Sequence, residues 1–258
     1  MKRTPLVLAL MIVVSLGHAQ IHVSRLVIEK GEVFSFGESD IVVADTLIME
    51  DSASIVLNRL KKENYLHSKV MIIGKNCWIE GNGVKGNPGR PGRAGASPLG
   101  PCKSGSNGTP GGRGLDGTSG VNLFLYLDKV TMKAPLTINL RGGDGGVGGK
   151  GGDGGTGTSG TVHCNGGDGG IGGSAGNGAN GGSGGSLTIH CPVNLSERLN
   201  KELKVINSGG YLGKGGRGGY PGSAGSGPNR RNGKQGMPGT EGLDGGLGRN
   251  GTVSIVHN

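Results

Sequence analysis

Aromatic and basic side chains at a regular spacing are the first candidates for binding chemistry. One glycine-rich stretch carries such residues at every third position: Tyr211, Lys214, Arg217 and Tyr220. A backbone with three residues per turn would place these side chains along one line. Aromatic faces stack on sugars, and cations pair with phosphate or carboxylate groups. We therefore interpret the line as a binding edge for a glycan or another anion; the alternative is that the tyrosines only cover a neighbouring segment.

A basic cluster follows this edge. It consists of Arg230, Arg231 and Lys234. We expect it to lie at the adjoining tip of the molecule and to belong to the same ligand-binding site, because clustered cations favour an anionic ligand.

The cysteines indicate disulfide bonds. The chain has four of them, Cys77, Cys102, Cys164 and Cys191, and four cysteines in an oxidising compartment allow three pairings. Cys102 and Cys164 fall in predicted loops at the far tips of glycine stretches, whereas the other two fall in predicted strands at the near ends. A tip cannot reach a strand across tens of ångströms, so we predict the bonds Cys102–Cys164 and Cys77–Cys191.

Catalytic and metal-binding patterns are absent from the sequence. His163 and His190 each precede a cysteine but lack the paired spacing of zinc ligands. Calcium-binding nonapeptide repeats need aspartate where this chain has Val147 and Thr156. No phosphate-binding loop and no Ser, His and Asp set stands out. We predict no catalytic residues, no metal, no cofactor and no enzymatic activity.

The first residues have the pattern of an export signal. Two basic residues precede an apolar run over 6–16, and the small-residue cleavage site lies at 17–19. A transmembrane helix needs about 20 apolar residues, so an uncleaved anchor is the weaker alternative. We predict a signal peptide over 1–19 and a mature protein in the periplasm, at the cell surface or outside the cell, with no membrane span.

The net charge favours acidic partners. It is +9 over the whole chain, and two of these charges belong to the predicted signal peptide. We expect a protein or an anionic glycan or other envelope component as partner, and no nucleic acid. The alternative is a basic surface without a specific partner.

Glycine at a period of three is the strongest signal in the chain. Glycine makes up 60 of 258 residues and aromatic residues only 3%, so ordinary apolar packing cannot organise the whole molecule. Six stretches have glycine at every third position, beginning Gly83, Gly86, Gly89; Gly105, Gly108, Gly111; Gly142, Gly145, Gly148; Gly166, Gly169, Gly172; Gly210, Gly213, Gly216; and Gly233, Gly236, Gly239. This period is typical of the polyproline-II helix, in which a bare line of glycines lets neighbouring backbones approach and bond.

Short apolar strands separate the glycine stretches. They recur at Leu26, Leu47 and Met71 and again later in the chain. We predict a mainly β and polyproline-II fold: a small β-solenoid or β-sandwich base with three antiparallel hairpins of polyglycine II helices, six helices in all, forming a slab. The domains would be a signal peptide over 1–19, a β-strand region over 20–82 and a helix bundle with interleaved strands over 83–258. A second glycine line in the third and fourth stretches predicts that these two are central.

The period of three leaves two rival structures open. A collagen-like stalk would explain the Pro-containing triplets near Gly89 and Gly239, but collagen needs three chains and long uninterrupted repeats. A disordered glycine linker would show no phase.

Over about 83–251 the phased runs resemble springtail antifreeze proteins and the glycine-rich tip adhesins of T-even-like phages. Resemblance to the adhesins implies binding by the tip loops 96–104, 161–165 and 226–232. Resemblance to the antifreeze proteins implies an ice-binding face, which the charges of Asp144, Lys150, Asp153 and Arg217 oppose. We expect a secreted or cell-envelope structural or adhesive protein, free or as a subunit of an envelope complex. An ice-binding protein and a collagen-like stalk are the alternatives.

Overall fold

Short strands stack in register and form two parallel sheets. The computed structural model describes residues 20–257, so the predicted signal peptide over 1–19 lies outside the described residues. The strands are β1 (Gln20–Ile28), β2 (Val33–Ser35), β3 (Ile41–Met49), β4 (Ser54–Val56), β5 (Glu63–Ile73), β6 (Trp78–Glu80), β7 (Asn122–Met132), β8 (Leu136–Asn139), β9 (Leu187–Cys191), β10 (Leu203–Ile206) and β11 (Val253–His257).

Successive strands alternate between the two sheets. The odd-numbered strands form a six-stranded sheet in the order β1-β3-β5-β7-β9-β11, and the even-numbered strands form a five-stranded sheet in the order β2-β4-β6-β8-β10. Every neighbouring pair of strands is parallel. Each odd strand and the even strand after it therefore make one coil of a stack.

The core lies between the sheets and is built from rows of aligned apolar residues. One row in the six-stranded sheet contains Ile21, Val42, Leu66, Leu125, Ile189 and Ile255. A row in the five-stranded sheet contains Phe34, Ile55, Ile79, Ile138 and Val205. Because side chains alternate between the faces of a strand, these rows point inward, and their middle members are at most 1% exposed.

One connection between an odd and an even strand contains a helix that the sequence analysis missed. Helix α1 (Val193–Glu202) follows Pro192 and joins β9 to β10. Leu195 and Leu199 lie on one face of it, one turn apart, and both are buried in the core. The guanidinium of Arg198 donates a 3.3 Å hydrogen bond to the carbonyl of Val130 in β7.

The last three connections from an even to an odd strand contain the glycine stretches. We call them glycine segments one to six: 83–95, 105–120, 142–160, 166–184, 210–225 and 233–251. Their backbone N–H groups bond to neighbouring segments at every third residue. For example, Gly83 donates to Arg141, Gly86 to Asp144 and Gly89 to Val147, each at 2.8 Å.

The hydrogen bonds arrange the segments in two layers. Segments one, three and five lie side by side in the first layer, and segments two, four and six in the second. Segments three and four each bond to four other segments, as their second glycine line predicted. The outward residues of the two layers form opposite faces of the assembly.

The predicted fold is wrong. The structure consists of two parallel sheets and one α-helix, and between residues 20 and 257 the only antiparallel pairing is the single bridge Thr161–Cys164. The glycine segments contain neither helix nor strand. Their backbone bonds run to neighbouring segments and follow neither the i to i−4 ladder of an α-helix nor the ladder of a β-strand. The later strands extend the same two sheets as the early ones, so the sheets are the organising structure and not a small base beneath a helical slab.

Candidate functional site

The predicted tyrosine edge lies on the outward face of the first layer. One glycine line of segment three donates its N–H groups to segment five, for example from Gly145 to the carbonyl of Tyr211 at 2.8 Å. This pairing brings residues from two distant parts of the chain together. We call the resulting surface the tyrosine face, defined by Arg141, Asp144, Lys150, Asp153, Tyr211, Lys214, Arg217 and Tyr220.

A first cluster on this face surrounds Tyr211. Its backbone N–H donates a 2.8 Å hydrogen bond to Oδ1 of Asp144. The same carboxylate pairs with the guanidinium of Arg141 at 2.5 Å, and that guanidinium lies 4.9 Å from the centre of the Tyr211 ring. One carboxylate therefore holds both the backbone of the tyrosine and the cation over its ring.

A second cluster repeats this arrangement around Tyr220. The Tyr220 N–H donates to Oδ1 of Asp153 at 2.9 Å, and Lys150 pairs with the same oxygen at 3.0 Å. The Lys150 ammonium lies 5.2 Å from the centre of the Tyr220 ring, and the Arg217 guanidinium lies 4.6 Å from it. This ring therefore has two cations beside it.

The two clusters are related by a shift of nine residues in both segments. Asp144 and Asp153 differ by nine positions, as do Tyr211 and Tyr220, and each aspartate bonds to the tyrosine 67 positions later. The tyrosines remain open to solvent, with exposed fractions of 67% and 49%. The face thus presents two similar, accessible aromatic and cationic clusters.

Both aspartates are held in the charged form. The Tyr220 N–H and the Lys150 ammonium lower the pKa of Asp153 below its usual value. Burial raises the pKa of Asp144, but the Tyr211 N–H and the Arg141 guanidinium outweigh it and the net pKa is lowered. Two carboxylates stand against the four cations of the face, so the tyrosine face carries a net positive charge.

The structure places Lys234, one member of the predicted tip cluster, away from the tyrosine face. Arg230 lies at the end of the 3-10 helix Pro228–Arg230. The backbone carbonyl of Arg231 accepts a hydrogen bond from Gly166 at 2.8 Å, and the Lys234 N–H donates to Oδ1 of Asp168 at 2.6 Å. Because these partners belong to segment four, Lys234 lies on the outward face of the second layer, opposite the tyrosines.

The cysteines form one of the two predicted bonds. Cys102 and Cys164 are joined, with 6.0 Å between their Cα atoms, and the bond links the loop after segment one to the loop after segment three. The predicted bond Cys77–Cys191 is wrong, since both thiols are free and buried. Cys77 precedes β6 in one sheet and Cys191 ends β9 in the other, and the Cys77 thiol donates to the Glu50 carbonyl at 3.1 Å.

Sequence reasoning missed the part played by the aspartates of segment three. Asp144, Lys150 and Asp153 were interpreted only as exposed charges, and Arg141 was not considered. The shared shift of nine residues in segments three and five was the available signal. It becomes meaningful only when the two segments are known to be neighbours.

Aromatic and histidine side chains also lie on the outer surface of the six-stranded sheet. The rings of Tyr65 and Phe124 stack with centres 4.9 Å apart, and those of Tyr126 and His190 stack at 4.4 Å. These rings cover one another, so they offer less open aromatic surface than the tyrosine face.

Among residues 20–257, no group of three or more histidine, cysteine, aspartate or glutamate side chains is placed to hold a metal ion. The same part of the chain contains no helix with the length and apolar character needed to cross a membrane.

Comparison of the chain with protein-family models, curated proteins and solved structures yields no match.

Proposed function

We propose that this protein is an exported, non-enzymatic adhesive scaffold whose tyrosine face binds an acidic glycan. The observation that carries the proposal is the repeated cluster of tyrosine, cation and aspartate around Tyr211 and Tyr220. A polymer with a repeating acidic sugar offers both a flat ring surface for the tyrosines and anionic groups for the cations. Two clusters on one face would bind it together more tightly than either alone.

The surroundings of the clusters support a binding role over a catalytic one. Both carboxylates already accept hydrogen bonds from a backbone N–H and from a cation. The lowered pKa of each makes it a poor general base near neutral pH. The clusters also lie on an open face, whereas catalysis generally uses a concave site that excludes water.

The glycine segments supply a rigid support for such a face. Their backbone bonds run between segments at every third residue. A Cβ atom added at Gly145 or Gly148 would meet a backbone carbonyl of a neighbouring segment well inside contact distance. Backbones packed this closely hold the residues of the tyrosine face in fixed positions, which reduces the entropy lost on binding.

A polysaccharide binding assay tests the proposal. Immobilised heparin, hyaluronan and neutral dextran are compared as probes with the folded protein at low and moderate salt. We expect binding to an acidic polymer, loss of about tenfold or more in affinity for the double variant Tyr211→Ala and Tyr220→Ala, and weakening by salt.

Two exposed residues of the opposite face provide the matched control. Met237 and Leu243 are 66% and 72% exposed and lie in segment six. The double variant Met237→Ala and Leu243→Ala removes similar apolar surface and should bind as the unmodified protein does. Equal loss in both double variants, or no preference for acidic polymers, would contradict the proposal.

A further inference from the structure

The tyrosine face has a central stretch between its two aspartates. Two pairs of residues that face each other across segments three and five define it: Val147 with Lys214, and Lys150 with Arg217. Glycine N–H groups of segment three bond to the carbonyls of Lys214 and Arg217 at 2.8 and 2.9 Å, which sets these pairs. Valine and lysine side chains have no hydrogen-bond acceptor, whereas the aspartates at either end of the same line do.

The four residues of the central stretch use their backbone carbonyls but not their N–H groups. Each carbonyl accepts from a glycine of a neighbouring segment at 2.7–2.9 Å. Among residues 20–257, none of the four N–H groups has a hydrogen-bond acceptor. Such donors bond to water or to a ligand. The central stretch therefore offers backbone donors, while its backbone acceptors are already occupied.

These N–H groups point to the outward face. On segment five, the two tyrosine N–H groups of the same line donate to aspartates of that face. On segment three, the N–H of Thr156, further along the same line, donates to Oγ of Ser97 at 2.8 Å. The same offset of 59 positions places Pro88 and Pro91 beside the central stretch. A proline side chain has no acceptor, so the donors there stay open.

Three cations surround these open donors. Lys150, Lys214 and Arg217 are all exposed. Lys150 and Arg217 already contact the Tyr220 ring. The Lys214 ammonium has no ion pair within residues 20–257. Because an extended chain spans at most about 3.6 Å per residue, the N–H groups of Lys214 and Arg217 lie within about 11 Å of each other.

The aspartates of the face show how an anion fits beside such a donor. The Asp153 carboxylate accepts from the Tyr220 N–H and also pairs with the Lys150 ammonium. A carboxylate above Val147 would take the equivalent place beside the Lys214 N–H, since the same 67 positions separate these two residues. The central stretch thus repeats the donors of the aspartate clusters but lacks their anions.

We infer, on the basis of the proposed glycan binding, that the central stretch is the anion-binding subsite of the tyrosine face, where two successive acidic groups of one glycan chain bind. Each acidic group accepts from an open backbone N–H and pairs with a neighbouring cation, while sugar rings contact the tyrosines at the two ends. The ligand is a linear chain with closely repeated carboxylates or sulfates, and not a glycan with a single terminal acid.

An aspartate placed in the subsite tests the inference. Val147→Asp adds a carboxylate that should cap the Lys214 N–H as the native aspartates cap the tyrosine N–H groups. The probes are decasaccharides of heparin and hyaluronan. We expect affinity to fall about tenfold or more, with a melting temperature no lower than that of the unmodified protein. Val147→Asn caps the same N–H without a charge and should lose about threefold or more.

The second layer supplies a matched control variant. Ile171 is 41% exposed in segment four, and Val147 is 49% exposed in segment three. Asp168, three residues before Ile171, accepts from the Lys234 N–H 66 positions later. Ile171→Asp should cap the open Met237 N–H in the same way. It changes the net charge equally but lies on the opposite face, so it should bind both probes as the unmodified protein does.

A second comparison tests the class of ligand. Sialyllactose carries one terminal carboxylate and can occupy only one of the two anion positions. We expect it to bind the unmodified protein at least about tenfold more weakly than the better of the two decasaccharides.

Loss of binding in the double tyrosine variant without loss in Val147→Asp would overturn the inference and leave the proposed function in place. Equal weakening by Val147→Asp and Ile171→Asp would also overturn it, because the effect would then be one of net charge. Equal affinity for sialyllactose would contradict the binding of two successive acidic groups. Absence of binding of both decasaccharides to the unmodified protein would overturn the proposed function as well.

Discussion

The backbone N–H of Tyr220 donates a 2.9 Å hydrogen bond to Oδ1 of Asp153, although the two residues are 67 positions apart. The bond crosses from segment five to segment three and satisfies an N–H that faces outward. The same use of a side chain recurs in the second layer, where Asn177 accepts from the Leu243 N–H at 3.0 Å. Aspartate and asparagine on the exposed lines therefore cross-link the segments as well as face solvent.

Protonation of Asp153 should weaken the fold in acid. The pKa of Asp153 is lowered in the folded protein by the Tyr220 N–H and by Lys150, so its charged form favours folding. This contribution is complete above the unfolded value of about 3.9 and is lost as the pH falls below it through the lower folded value. Asp153→Asn keeps the accepting oxygen but removes the titration. We expect its melting temperature to fall less steeply than that of the unmodified protein below about pH 4.

Melting curves recorded between neutral and strongly acidic pH make this comparison. Asp45→Asn is recorded for comparison. The pKa of Asp45 is lowered by Lys69 on the sheet surface, so the acid profile of this variant shows the effect of an ion pair without a bond to a segment backbone. Parallel acid profiles for Asp153→Asn and the unmodified protein would contradict the role of Asp153.

Two adjacent glycines of segment two should respond differently to alanine. A Cβ atom at Gly111 would meet the backbone carbonyl of Gly149 well inside contact distance, whereas at Gly112 the nearest atom is the Arg90 nitrogen at 3.2 Å. Backbone that is bonded on several sides cannot withdraw easily. We expect Gly111→Ala to lower the free energy of unfolding by about 1–3 kcal/mol and Gly112→Ala to have a clearly smaller effect, measured by chemical denaturation.

This comparison cancels the general effect of alanine on the unfolded chain, because both variants share it. Equal destabilisation by the two substitutions would show that close packing of segments two and three does not decide the outcome.

Reduction of the tip disulfide should destabilise the protein. The bond joins residues that are 62 positions apart, and closing a loop of that length stabilises the folded state by up to about 4 kcal/mol in the chain-entropy model. We expect the double variant Cys102→Ser and Cys164→Ser to melt at a lower temperature and to be insensitive to a reductant that lowers the melting temperature of the unmodified protein.

Thiol titration without reductant provides the accompanying check. Cys77 and Cys191 are free and buried, and burial raises the pKa of each thiol. Both should react only after unfolding. Absence of reactive thiols in the unfolded, unreduced protein would contradict the assignment.

A buried amide should be required where β4 connects to β5. The side chain of Asn64 is 0% exposed; it accepts from the Asn58 N–H at 2.8 Å and donates to the Asn58 carbonyl at 3.0 Å. Asn64→Leu leaves both backbone groups without this partner, at a cost of about 1–3 kcal/mol in the free energy of unfolding.

Chemical denaturation of Asn64→Leu and of Glu63→Gln makes this comparison. Glu63 precedes Asn64 in the same strand and is exposed, so Glu63→Gln should unfold as the unmodified protein does. An unchanged midpoint for Asn64→Leu would mean that water or another group replaces the amide.

Some features of this protein were predictable because they depend on residues that are close together in the sequence. The apolar triplets marked the strands, and Leu123, Leu136, Leu187, Leu203 and Val253 all lie in strands of the sheets. The glycine period marked the segments, and its second line marked segments three and four as central. The tip disulfide followed from the positions of two loops relative to the period.

The site was only partly predictable, because some of its contacts join residues that are far apart in the sequence. The spacing of Tyr211 and Tyr220 indicated a shared face, but their aspartate partners in segment three carried no local mark. Lys234 was assigned to the tyrosines because it is close in sequence, whereas its segment lies in the other layer.

The sequence by itself determined which stretches are apolar strands, which are glycine segments, and which glycines fall on the period of three. The tertiary structure decided which of these stretches become neighbours: parallel stacking of the strands, pairing of segment three with segment five, and separation of Cys77 from Cys191. The period of three fixes which side chains share a face of a stretch, because it involves residues only a few positions apart. The choice of neighbour depends on how all the coils of the stack pack together, so it cannot be predicted from any single stretch.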